Sequence, residues 1–181
     1  MRAITLLFFL FLFQIPEGHA QVEETIEPEY IRTIQFKGTS AQSRLPIIEL
    51  GQKLQLSFDD IIGNEADYFY TIAHFNFDWT PSDLSKGEYL DGFDDVRIET
   101  YENSFNTLQL YSNYKLSIPN RETRAIKKSG NYLLRIFNDD GEIVFSRKFM
   151  VLERVLSVEV EIKRSRIIKN IDQQQVVQFK I

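Results

Sequence analysis

An all-β fold, an immunoglobulin-like antiparallel β-sandwich followed by the first strands of a second β domain, is what three features of this sequence predict. Apolar residues recur with a period of two in several separate windows. Turn residues punctuate those windows at intervals of about 8–15 residues. No window of similar length shows comparable helical periodicity.

Taken in order, the chain opens on Met1-Arg2 and the apolar run "AITLLFFLFLF", broken by Pro16 and Gly18. Gly18-His19-Ala20 offers small residues of the kind a signal peptidase reads, so residues 1–20 are expected to be a cleaved signal peptide. The run is well short of the roughly 20 apolar residues that span a bilayer. "YIRTIQF" alternates Ile31, Thr33 and Gln35 against Tyr30, Arg32, Ile34 and Phe36. "KLQLSF" puts Leu54, Leu56 and Phe58 on one face, and "YKLSIP" does the same with Tyr114, Leu116 and Ile118. "DYFYTIAHFNF" is a further strand after Gly63-Asn64. "NDDGE" separates "YLLRIF" from "IVFSRKFMV" as a hairpin, with Gly141 at positive φ.

"SGNYLLRIF" has the form of an immunoglobulin F strand, in which Tyr132 would bond back to the corner backbone. Leu134 then falls where antibody domains carry their second cysteine. After "FMVLE" a second β pattern sets Val158, Val160 and Ile162 opposite Glu159, Glu161 and Lys163. The expected organisation is a signal peptide over 1–20, a sandwich over 28–152, and the start of a second, truncated β domain over 153–181. The apolar finish at Ile181 suggests an amino-terminal piece of a longer multi-domain β protein.

Composition narrows the function. The chain contains no cysteine, which excludes a disulfide scaffold, a thiol nucleophile, thiolate metal sites and lipid attachment through an N-terminal cysteine. A net charge of -5 argues against nucleic acid, which needs a basic face. Beyond the leader the chain has one histidine, His74, which reads as a packed strand residue, and no Ser/His/Asp set or nucleophile elbow accompanies it. No catalytic residue, cofactor, metal or small-molecule substrate is therefore expected. "DGFDD" clusters oxygens around Gly92, yet it departs from the EF-hand order.

The densest aromatic and acidic stretch is "HFNFDWTPSDLSKGEYLDGFDD". Phe75 and Phe77 are expected to point into the core, and Ser82 or Asp83 to cap a short helical turn before Gly87. Asp78, Trp79, Tyr89, Asp91, Phe93 and Asp94, with Asn103 and Asn106 of "YENSFNTLQLYSNY", are the candidate partner-binding residues. Loop aromatics lose few rotatable bonds on burial and serve as anchors at interfaces. The alternative is a secreted carbohydrate-binding sandwich, with the same aromatics stacked on sugar rings.

"LPIIELGQKLQLSFDD", "EADYFYTIAHFNFDWTPSDLSKGEYLDGFDD", "YENSFNTLQLYSNYKLSIPN" and "SGNYLLRIFNDDGEIVFSRKFMV" resemble the amino-terminal domain of the type IX secretion system plug proteins of Bacteroidetes. The run from Phe77 to Asp95 and the segment Asn103-Ser104-Phe105-Asn106 are the most specific parts of the likeness. The resemblance implies a non-enzymatic periplasmic β-sandwich. It implies protein–protein contact with the outer-membrane translocon barrel, whose periplasmic mouth such proteins occupy. Association with the outer membrane would be peripheral, through that barrel, and the family supplies no catalytic set to carry over.

Overall fold

The computed structural model describes residues 21–39, 45–93 and 95–181. The expected signal segment and Asp94 lie outside the described residues.

Two sheets face each other. One has the order β1-β3-β8-β7, formed by Ile31–Gly38, Leu54–Asp60, Ser112–Ile118 and Tyr101–Asn103. The other has the order β2-β11-β10-β4-β6, formed by Ile47–Glu49, Ile143–Leu152, Gly130–Phe137, Phe69–Phe75 and Val96–Arg97. All pairings within them are antiparallel except β2 with β11. The first sheet repeats the ABED order of immunoglobulin-like domains, and β4-β10-β11 repeats their CFG core. A small ribbon of β5 (Leu90–Gly92) and β9 (Thr123–Ile126) lies to one side.

Alternation carries the core as expected. Leu54, Leu56 and Phe58 of β3 and Tyr114, Leu116 and Ile118 of β8 are buried, facing Tyr70, Ile72, Leu134, Phe145 and Phe149. Leu134 sits in this cluster at the position where other members of the fold place a cysteine, and its branched side chain fills the volume. Phe58 packs edge-on to Phe145, 5.2 Å between ring centroids, and Phe36 packs edge-on to Phe149 at 5.8 Å. Burial pushes the Tyr114 phenol up to about 12, with Asp60 adding to the effect, and raises those of Tyr68 and Tyr132 as well.

The first strand departs from strict alternation. Ile31 is fully buried, whereas Thr33 and Gln35 on its expected face are exposed, and Ile34 and Phe36 pack on the core instead. A bulge between Arg32 and Gln35, with Thr33 at φ 53°, shifts the phase by one residue. An extra residue in one strand exchanges the two faces beyond it. The bulge is what brings Phe36 onto Phe149.

The corner expected before β10 is present: the Tyr132 hydroxyl donates to the Lys128 carbonyl at 2.7 Å. It holds the turn in which Gly130, at φ 145°, backs onto His74 so closely that a Cβ would lie 2.4 Å from Nε2. Beyond the sandwich, β12 (Glu159–Arg164) and β13 (Gln175–Lys180) form an antiparallel ribbon. Its register puts Val160 opposite Phe179 and Ile162 opposite Val177 on one exposed apolar face.

Removing one corner hydrogen bond should be measurable. Tyr132→Phe is expected to lower stability by about 1 kcal/mol, the net worth of such a bond. Urea denaturation should show a lower midpoint at unchanged slope.

Candidate functional site

Strand β4 ends at Phe75, and the chain reverses at once. The Trp79 N–H donates to the Asn76 carbonyl at 3.0 Å, and the Asn76 N–H donates to the Thr80 carbonyl at 2.9 Å. Asp78 is the clasp of this turn: one carboxylate oxygen accepts from the Thr80 N–H at 3.1 Å and from its hydroxyl at 2.7 Å. The Asn131 side chain donates to the Asn76 and Phe77 carbonyls from β10. Because the strand stops at the buried Phe75, Phe77 never returns to the core. It is 93% exposed, against the expectation that it packs inward.

Trp79 adopts φ 65° and is half-buried. It packs on Phe75 with ring centroids 6.4 Å apart, and the Lys148 ammonium lies 4.5 Å from its ring centroid. Its carbonyl accepts the Val22 N–H at 3.2 Å. The segment after Val22 continues along β11: Thr25 exchanges bonds with Ser146, and Glu27 pairs with Arg147 at 2.5 Å. This strap satisfies edge groups of β11 that would otherwise invite another strand. The Arg147 hydrogen bond, then Glu27's own backbone, hold the Glu27 carboxyl below its ordinary 4.5.

Tyr89 belongs to the core and not to a rim. It closes the single helical turn α1 (Lys86–Tyr89), is 7% exposed, donates to the Ile72 carbonyl at 3.2 Å and stacks on His74 at 5.6 Å. The turn is capped by Ser85, not Ser82 or Asp83: the Ser85 N–H and hydroxyl both donate to the Glu88 carboxylate, at 2.8 and 2.7 Å. Ser82 instead lies 2.8 Å from His74 Nδ1. The other ring nitrogen faces the Ser129 carbonyl at 3.4 Å. A main-chain carbonyl in that place, with tyrosine rings on both sides, makes this serine–histidine pair a packing contact between the loop and the sheet.

Asp91 pairs with Arg124 at 2.7 Å on the β5-β9 ribbon. Gly92, at φ 100°, sits so close to the ribbon that a Cβ would lie 2.0 Å from the Glu122 carbonyl oxygen. Phe93 is 69% exposed, with its N–H on Glu122 and its carbonyl accepting the Thr123 hydroxyl. Among the described residues no group of three or more metal-ligating side chains is assembled. Asp94 is outside them.

Asn103 and Asn106 lie elsewhere. Asn103 donates to Glu65 and accepts from the Ser112 hydroxyl at 2.8 Å, and exposed Asn106 takes φ 55°. Asn103 is opposite Ser112, which is opposite Asp60, so this loop sits where β3 ends and β4 begins. The Asn76–Thr80 turn sits where β4 ends, seven residues further on, or roughly 20 Å at the rise of a strand. Asp91 and Phe93 line the flank between. Among the described residues, the candidates other than buried Tyr89 therefore fall in three places and form no common rim. The sequence reasoning missed the apolar side chains of the Ser104–Tyr111 loop: Phe105 is 93% exposed and Leu108 wholly so. The aromatic content of that loop was the available signal.

These features define the class: an immunoglobulin-like β-sandwich with short, hydrogen-bonded loops that display side chains at both ends. The chain belongs to the type 9 secretion system plug protein family, whose first-domain model matches residues 31–153. It is also similar to the crystal structure of a hypothetical protein from Parabacteroides merdae ATCC 43184, with a TM-score of 0.70 and 31% identity. The alignment covers 88% of this chain and 41% of that one, so the chain spans well under half of that protein's length. No curated protein matches the chain. Among the described residues, no helix is long and apolar enough to cross a membrane.

Two outcomes follow from this geometry. Gly92→Ala adds both a steric clash and left-handed strain, and should cost about 1–3 kcal/mol, read as a lowered urea midpoint. Glu27's folded value lies below its unfolded one, so the pair's stabilisation is present above pH 4.5 and is lost as pH falls through the folded value. Stability measured between pH 7 and pH 3 should fall less steeply in Glu27→Gln.

Proposed function

We propose that this chain is a non-enzymatic periplasmic plug subunit of the type IX secretion system, closing the periplasmic mouth of the outer-membrane translocon barrel by protein–protein contact. Family membership carries this reading. The physics of the fold supports it: closing a wide aqueous opening needs a rigid body that keeps its shape without support from its partner. Two sheets locked by cross-sheet aromatic pairs supply that body. Exposed side chains on ordered loops supply adhesion with little loss of conformational entropy on docking. The contact must be reversible to let cargo pass, which favours a modest mixed interface over an obligate apolar one.

Within this reading the sandwich is one domain and the β12-β13 ribbon belongs to a second β unit. The uncovered apolar face of the ribbon and the greater length of the similar structure support that division. The carbohydrate reading needs aromatic rings gathered on one face. Trp79 has Lys148 over its ring, Tyr89 is buried, and Phe93 stands apart on the flank.

Closure predicts a conductance. Purified translocon barrel in a planar bilayer should pass a large current that falls severalfold when this protein is added to the periplasmic side. An unchanged current, together with failure to co-purify from detergent-extracted outer membranes, would reject the plug role.

A further inference from the structure

We infer that the sandwich docks end-on, seating the Ser104–Tyr111 loop in an apolar recess with a basic rim on a partner protein. This rests on the plug reading and identifies the face that reading uses. At this end Phe105, Leu108, Leu110 and Tyr111 are exposed, and Ile62 of the neighbouring connection is 54% exposed.

The loop is ordered around those side chains. The Ser104 N–H donates to the Tyr111 carbonyl at 2.8 Å, and the Tyr111 N–H donates to the Ser104 hydroxyl at 2.9 Å. The Thr107 hydroxyl donates to the Gln109 carbonyl at 2.7 Å, and the Gln109 amide reaches the Ile61 carbonyl at 2.8 Å. Gly63, at φ 66°, closes against Leu110, where a Cβ would come within 3.0 Å. Ordering these residues costs conformational entropy, and Phe105 and Leu108 return nothing for it while they stand in water. A partner that buries them recovers that cost, because the loop already has its bound shape.

Charge selects the partner. The three connections at this end, 61–68, 104–111 and 138–142, contain Glu65, Asp67, Asp139, Asp140 and Glu142 and no lysine or arginine. On the flanking strand Arg97 is already paired with Asp67. At the opposite end the charges are mixed: the connection 76–89 holds Asp78, Asp83 and Glu88 with Lys86, and Lys127 and Lys128 stand at the foot of β10. The apolar tip is thus the end whose connections carry acids alone. A basic-rimmed protein recess is attracted and oriented by the field of those acids. An anionic lipid surface is repelled, since membrane-binding segments set lysine and arginine beside their apolar residues.

The test presents full-length variants to detergent-purified type IX translocon. Phe105→Ser/Leu108→Ser should weaken binding at least tenfold with an unchanged melting temperature, because both side chains leave water for nothing in the free protein. Phe77→Ser, equally exposed at the other end, should bind as wild type. Asp139→Lys/Asp140→Lys should slow association and flatten its salt dependence. Wild-type affinity in the double serine variant overturns this inference alone. So does flotation of the wild type with anionic phospholipid vesicles that the double serine substitution abolishes. Absence of wild-type binding overturns the plug reading, and this inference with it.

Discussion

Phe58 against Phe145 and Phe36 against Phe149, both edge-to-face, cross the gap between the two sheets. In a chain without cysteine these contacts tie β1 and β3 to β11, and no covalent cross-link joins the sheets. Each such pair is worth about 0.5–1.5 kcal/mol beyond the area it buries. Their geometric consequence is larger, because they fix how the sheets face each other and so how the loops at the two ends are held apart. The second pair exists only because the bulge at Thr33 rotates Phe36 inward. Local backbone irregularity and global sheet packing are one constraint in this molecule.

A rigid body separates its ends, and here the ends differ in chemistry. The turn after β4 is closed by Asp78 and Asn131 and covered in part by the strap from Val22 to Glu27, so much of its polar and aromatic content is spent on internal contacts. The Ser104–Tyr111 loop spends only polar groups internally and leaves its apolar ones in water. The connections at that end carry acids and no lysine or arginine, whereas the other end mixes both signs. A domain built only for its own stability gains nothing from this division, whereas one that must dock in a single orientation does.

Much of this was legible in the sequence and some of it was not. Strict alternation in Leu54–Phe58 and Tyr114–Ile118, and the Gly130-Asn131-Tyr132 corner, identified long strands and their inner faces, because period-two burial is a direct result of the pleat. The bulge at Thr33 left only a phase break, with Ile31 out of step with Ile34 and Phe36, and no glycine to announce it. Phe77 was misplaced because the reversal uses Trp79 in a left-handed conformation, which no propensity of tryptophan suggests. Tyr89 looked like a surface anchor because its acceptor is the Ile72 carbonyl, a distant main-chain group that no side-chain pattern marks. Strand parity could have shown that Trp79 and Asn103 lie at opposite ends. The two- and three-residue strands β5, β6 and β7 are too short to show alternation, and without them the count fails.

Which end meets the partner is the most direct question to put to this account. Replacing Phe105, and separately Phe77, with a photo-crosslinking phenylalanine analogue in living cells asks it without purification. The account predicts an adduct with the translocon barrel from position 105 and none from position 77. An adduct from position 77 alone would contradict it.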